Sequence, residues 1–274
     1  MKFFNLLLFA LKTTLSQKII LTLLIAMSVI LLIFITAVHI DTDGGTVSSV
    51  SIYGSKPFTE KEFPMILPSI AETYSTLVYL SLIILSIITT AHIIPDAINS
   101  RTITLFLTKP ISRASIIISI FLGVSAAISL IQILFIIGLW LILTLKTGIF
   151  FWNLLISFIP LVLSFCTLYA FMVYIGIVGK SAGIVTAVAM GHVIFISPLL
   201  TRQDSAFISW FGDLGSQIIK NIFRITLPGV YEMQDIFKRV VMSDQFNALI
   251  LPILMLPCLL YIYLSTRSFN RMDF

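Results

Sequence analysis

The chain has 274 residues, of which 58% are hydrophobic and only 11% charged. Soluble domains carry about 25% charged residues, so a water-soluble globular class is excluded and lipid must solvate much of this chain. The formal charge of +5, from 17 basic and 12 acidic residues, points in so apolar a chain to basic loops on one side of a membrane, and no nucleic-acid partner is expected.

Residues 1–17 do not span. Lys2, Asn5, Lys12, Thr13 and Ser16 form one helical stripe interrupted by Phe9, and Phe3, Phe4, Leu6, Leu7, Leu11 and Leu15 cover the remainder. That is the pattern of a helix lying in the membrane interface. A signal peptide is the weaker alternative, because the apolar core 6–11 is short, no small-residue cleavage site follows, and a full span begins at Lys18. Residues 19–40 carry no formal charge and are long enough for about 30 Å of hydrocarbon. Residues 41–73 form a polar loop in which 46–53 is expected as a small hairpin strand. Residues 74–94 are the second span, ended by Pro95, since proline cannot continue the helical hydrogen-bond ladder.

Residues 96–113 follow, a polar segment between two apolar runs. Ile98, Thr102 and Leu105 share one helical face with Phe106 beside them, and Lys109-Pro110 stops the helix. A short helix at a membrane surface is a handle by which an outside partner could move the spans on either side. Residues 115–144 exceed what one bilayer requires, so this third run must tilt or protrude. Residues 150–178 are the fourth run, kinked at Pro160, and 182–200 the fifth. Residues 201–246 mix charges with Trp210, Phe211, Phe223, Leu227, Pro228 and Tyr231. They are too polar to span and too apolar for a solvated loop, which fits half-buried helices entering the interface from outside. Residues 248–264 are the sixth span, broken by Pro252 and Pro257, and a basic tail follows from Arg267.

Charge sets the orientation. With the N-terminus inside, the short inner segments hold Lys2, Lys12, Lys18, Arg101, Lys109, Arg113, Lys180, Arg267 and Arg271, with Asp96 and Asp273 as their acids. The outer segments carry nearly as many basic residues, but over far longer loops, where charge constrains topology weakly. Both termini are therefore expected in the cytoplasm.

Asp96, Thr102-Ile103, Phe106-Leu107, Pro110-Ile111-Ser112-Arg113 and Phe121-Leu122-Gly123 resemble the corresponding stretch in permease subunits of the type-2 ABC exporter family. The similarity leans toward the branch that includes the nitrous-oxide-reductase maturation permease. Arg101 stands where the family usually has Gly, Asn99 where a second acid is common, and Ile120 where Lys is common. The resemblance extends to the layout of spans, the N-terminal helix and the 201–246 segment, where the family places a re-entrant helical hairpin. It implies a coupling segment over 96–113, with Asp96, Asn99, Arg101, Thr102, Leu105, Phe106, Lys109, Pro110 and Arg113 as the residues that meet the ATPase. It also implies an ABC ATPase subunit on a separate chain, a second permease subunit as homo- or heterodimer partner, and a prokaryotic cytoplasmic membrane as the location.

Other motifs read more plainly. Gly179-Lys180-Ser181 ends like a phosphate-binding loop, but position 174 is Tyr174 where that loop needs Gly, and no strand precedes it. No ATP or Mg is expected on this chain; both belong to the partner ATPase. Cys166 and Cys258 lie inside apolar runs and read as free thiols. His39, His92 and His192 have no partner ligands at metal spacing, so they read as unrelated histidines at interfaces or helix contacts, and no metal is expected. Asp, Glu, Lys and Arg are absent from the middle of every expected span. Such residues mark proton relays, ion pathways and intramembrane catalysis, so their absence argues against those classes and no catalytic residue is assigned. Gly183, Ala187 and Gly191 repeat every fourth residue. Packing within the chain is the expected use of this small-residue face, and the family's dimer seam keeps the other use open. Gln132 is expected to hydrogen-bond between helices.

The reading is an all-α polytopic membrane protein, one permease domain over 1–274, with six spans and no enzymatic activity of its own. A membrane scaffold or assembly factor without an ATPase is the alternative, and an intramembrane enzyme a distant third.

Overall fold

The computed structural model describes residues 2–15, 18–43, 46–52, 63–99, 112–147, 150–201, 218, 221–242 and 249–272. Most of these are helical. The elements in order are α1 (Lys2–Leu15), α2 (Lys18–Ala37), β1 (Val38–Asp43), β2 (Thr46–Ile52), α3 (Phe63–Thr90), α4 (Ile93–Asn99) and α5 (Arg113–Thr147). After them come α6 (Trp152–Ile156), α7 (Phe158–Gly179), α8 (Ala182–Gly191), a π-helical turn (His192–Ile196), α9 (Ser197–Thr201), α10 (Val230–Val241), α11 (Ile250–Leu254) and α12 (Leu256–Asn270).

Among the described residues, five stretches are long and apolar enough to cross a membrane: Ser75–Asn99, Arg113–Lys146, Trp152–Gly179, Ala182–Leu199 and Ile250–Asn270. The chain is thus a multi-pass membrane protein. α5 shows why water cannot be its solvent. Ile117, Phe121, Val124, Ile128, Ile131 and Phe135 are buried along one side, while Leu122, Leu130, Leu134, Ile137, Leu141 and Leu145 form an exposed apolar stripe along the other. A helix apolar all round is stable only when lipid or protein covers every face. α7 is the central helix. Leu161, Phe165, Leu168, Tyr169, Ala170 and Val173 are all buried, with α3, α5, α8, α10 and α12 packed around them.

The outline read from the sequence is corrected at several ends. α2 stops at Ala37, short of residue 40, because Val38–Asp43 pairs antiparallel with Thr46–Ile52. Alternating β-branched residues in both segments suit a ladder better than another helical turn, so a two-stranded hairpin joins the otherwise helical fold. The strand expected over 46–53 is thus half of this hairpin. Pro95 does not end the second span. It lies in the first turn of α4, and the helix is interrupted earlier, at the Ala91–His92 turn. The cause is the missing Pro95 N–H, which would have bonded the Ala91 carbonyl. The kink expected at Pro160 falls at Ser157, whose backbone N–H bonds back to Asn153. The last run breaks at Met255, between Pro252 and Pro257. The fifth run contains a π turn that the sequence did not announce: the Ser197 N–H reaches back five residues to the His192 carbonyl.

α1 packs along α5 through small residues. Ala10 and Thr14 are buried, the Thr14 hydroxyl donates to the Ala10 carbonyl (2.7 Å), and Leu8 and Leu15 stay exposed. The close approach depends on Gly123, where an added Cβ would lie 2.7 Å from Ala10 Cβ and 3.0 Å from the Leu11 backbone nitrogen. Backbone cannot yield as a flexible side chain can. Gly123→Val is therefore expected to detach α1 from α5, at a cost of about 1–3 kcal/mol of packing. Limited proteolysis in membranes should then cut the N-terminal helix far faster than in wild type, with the remaining bundle intact; unchanged cleavage would contradict this packing.

Candidate functional site

Two regions carry the polar chemistry of the described chain, one at each end of the bundle. The first borders residues 100–111. Of the expected coupling residues, Asp96, Asn99 and Arg113 lie in described elements, whereas Arg101, Thr102, Leu105, Phe106, Lys109 and Pro110 lie outside the described residues. Asp96 is exposed on α4. One turn later, Asn99 Nδ2 donates to the Lys180 carbonyl (3.0 Å). Lys180 caps α7 in the left-handed conformation (φ 49°) and donates its N–H to the Gly176 carbonyl. The helix before it and the helix after it make Gly179-Lys180-Ser181 a turn between two spans, as read. Gly176 lets α4 lie close: a Cβ there would be 3.0 Å from Ile94 and 3.3 Å from Pro95.

On the other flank, Ser112 caps α5, its hydroxyl accepting the Ser115 N–H (3.2 Å). Arg113 donates from Nη1 to the carbonyls of Met272 (2.7 Å) and Asn270 (3.3 Å). It holds the C-terminal turn of α12, whose last carbonyls have no helical donors. The ends of α4, α5, α7 and α12 thus meet at one end of the bundle.

The second region lies toward the other end, within the 201–246 segment expected as half-buried helices; its bonds to the spans are what the sequence did not show. Residues 221–226 are helical, the chain turns at Pro228-Gly229, and α10 leads away. A hairpin tip results, and its backbone groups are satisfied from the surrounding helices. Tyr79 donates to the Val230 carbonyl (2.9 Å) and is hydrogen-bonded to Ser164. Nε2 of His192 lies 2.8 Å from the Pro228 carbonyl, which only accepts, so this nitrogen carries the proton. The Ser197 hydroxyl accepts the Tyr231 N–H (2.9 Å) at the start of α10. His192 is therefore a contact between a span and the hairpin tip, in keeping with the expectation of a helix contact. Arg224 clasps Glu232 in a bidentate pair (2.8–3.0 Å) that joins the two arms, and Lys238 reaches Glu72 on α3 (3.2 Å). The tip is deep. Ser164 sits 15 residues before Gly179, about 22 Å along α7 from the Lys180 end at 1.5 Å per residue. Signals for this socket existed in Pro228-Gly229 between helical stretches and in polar residues on apolar spans, but nothing in sequence order pairs Tyr79 or His192 with residues 228–230.

Gln132 does bond between helices, donating Nε2 to Ser86 Oγ (3.1 Å). The small-residue face of α8 does not pack within the described chain as expected. A Cβ added at Gly183 would meet only Ser181 Oγ, at 3.8 Å, and one added at Gly191 would meet nothing within 4 Å. α8 instead buries Val185 and Ala189, which point the opposite way because two residues along a helix turn about 200°. Among the described residues, no three His, Cys, Asp or Glu side chains gather at a metal-binding spacing. No protein-family model matches the chain, and no curated protein matches it.

Tyr79→Phe should leave the Val230 carbonyl buried without its donor. A loss of about 1–3 kcal/mol is expected, seen as a lower melting temperature of the detergent-solubilised protein. Ser81→Ala on the same helix is the control, because among the described residues its hydroxyl bonds within the helix, to the Leu77 carbonyl. Equal melting for the Tyr79 and Ser81 variants would mean that the tip is not held here.

Proposed function

We propose that this chain is the membrane-spanning permease subunit of an ATP-driven ABC transporter, an exporter of the type-2 kind, working with a separate ATPase subunit and a second permease subunit. The observation that carries the reading is the first polar region. Asn99 and Arg113, at the two borders of the 100–111 segment, are hydrogen-bonded to the ends of two further helices at one end of the bundle. Lys180, Arg267 and Arg271 lie in helix ends or turns at that end, which agrees with a cytoplasmic face. An ATPase pushing there would act on several spans at once. The residue pattern across 96–123 adds the family resemblance.

Other features fit. α2 has 20 residues, enough for about 30 Å of hydrocarbon, and serves as the sixth span. The hairpin tipped at Pro228-Gly229 serves as the re-entrant segment, since irregular backbone at depth is tolerated only where protein satisfies it. The open face of Gly183, Ala187 and Gly191, beside exposed Ile184 and Val188, suits a partner subunit, because small residues allow close helix approach in lipid. ATP and its Mg ion would sit on the ATPase, and energy would reach this chain mechanically.

Orientation is testable directly. A cysteine at Val47 in the hairpin should react with an impermeant maleimide added outside intact cells, and a cysteine at Ser100 should not; labelling at Ser100 would place the segment beyond the reach of a cytoplasmic ATPase.

Coupling is tested by Leu105→Asp combined with Phe106→Asp. Two charges would then enter an expected apolar contact, at a cost of several kcal/mol if buried unpaired. The spans rest on lipid burial and internal hydrogen bonds, which the change leaves alone. The variant is expected to reach the membrane at wild-type levels but to lose co-purification of the ATPase or its stimulated hydrolysis. Wild-type retention and stimulation would reduce the segment to a connecting loop. A wild-type chain that retains no ATPase would favour the scaffold alternative.

A further inference from the structure

Only two spans are covalently joined to residues 100–111: the one ending in α4 and the one beginning with α5. Motion passed through the chain alone would reach only those. We infer that Asn99 and Arg113 are positioning residues that extend the stroke to α7 and α12, so that four spans move together. This rests on the permease reading above.

The two clips share one chemistry. The C-terminal carbonyls of a helix lack donors within it and carry the negative end of its dipole. α12 ends in tight bonds, Arg271 N–H to Ser268 and Met272 N–H to Phe269. The carbonyls of Asn270 and Met272 are then taken by one Arg113 nitrogen. A guanidinium suits this, because it stays charged and its donors are fixed in one plane. At the other border, α7 ends on Lys180, a side-chain-bearing residue in the left-handed region. That conformation is costly without Gly, so it persists only when neighbours hold it. The Asn99 amide on the Lys180 carbonyl is one such hold. Each contact is long-range, spanning 81 residues for Asn99 and 159 for Arg113 to Met272, so neither is local capping of its own helix. They also lie one on each border of the segment, so a displacement pulls both helix ends together.

α7 is the central helix and α12 packs on it. Moving their ends therefore displaces the core of the bundle as well as its rim. Cys258 on α12 approaches the Cys166 carbonyl of α7 at 3.8 Å, one sign that the two helices travel as a pair.

The test combines two readouts on Asn99→Ala, Arg113→Ala and Arg113→Lys in the full chain. Hydrogen exchange in reconstituted membranes should rise about tenfold at the Arg271 and Met272 amides in Arg113→Ala, as expected for a lost charge-assisted bond, with the Lys180 turn unchanged. Asn99→Ala should do the reverse. The second readout is vanadate-sensitive hydrolysis divided by the amount of co-purified ATPase: per bound ATPase it should fall several-fold in both alanine variants, and Arg113→Lys should restore most of it. Exchange that does not change, or that rises equally everywhere, would overturn the clips. Full hydrolysis per bound ATPase with loosened helix ends would overturn their part in the stroke, as would a fall in hydrolysis accounted for wholly by lost ATPase, which would leave these residues in docking alone. A wild-type chain that binds no ATPase sinks the permease reading instead, and the exchange pattern then still decides whether the clips exist.

Discussion

Every backbone N–H and C=O in the hydrocarbon must find a partner within the protein, and this constraint organises the molecule. It explains why the described spans are helical and why each interruption lies near a proline. Pro95, Pro160, Pro198 and Pro257 each remove one donor, and the chain answers with a turn at Ala91–His92, at Ser157, at Met255, or with a π turn before Ser197. Hydroxyls occupy carbonyls near two of these places: Thr90 donates to Ser86 ahead of the first turn, and Ser157 to Leu154 at the second. The same constraint makes the Pro228-Gly229 tip costly unless it is surrounded by donors and acceptors. Tyr79, His192 and Ser197 supply them from three separate positions.

The two polar regions differ in kind. The hairpin socket is buried, and its bonds run from side chains of the spans to the backbone of an inserted element. Side chains there are fully enclosed, Tyr79 at 0% and His192 at 1% exposure, so these bonds are shielded from competing water and hold firmly. The bonds of Asn99 and Arg113 are solvent-exposed or half-buried. Water competes with them, which lowers their strength and the barrier to rearrangement. A fixed lining at one end and adjustable fastenings at the other suit the proposed permease, driven from its exposed end. Between the two, the core is mainly apolar, crossed by the Gln132–Ser86 bond, and such packing transmits displacement because it is dense and poorly compressible.

By itself the sequence determined the solvent, the approximate spans and the polar segments. Those properties follow from composition and from runs of local pattern: a charge-free stretch of twenty residues has one economical solution in lipid. It located proline breaks to within a few residues, and it marked Gln132 as a helix-to-helix bond because an amide on an apolar span needs a partner. It could not set which half of an apolar helix faces protein. α1 docks through Ala10 and Thr14 while Leu8 stays exposed, because close approach to Gly123 is worth more here than burying a larger side chain that lipid solvates equally well. The stripe Gly183, Ala187 and Gly191 was legible as small residues, but whether it was covered depended on neighbours. The pairing of Arg113 with Met272, and of Tyr79 and His192 with the hairpin tip, was decided only by tertiary structure. Such contacts join residues far apart in the chain through bonds of a few ångströms, and periodicity carries no record of distances between helices.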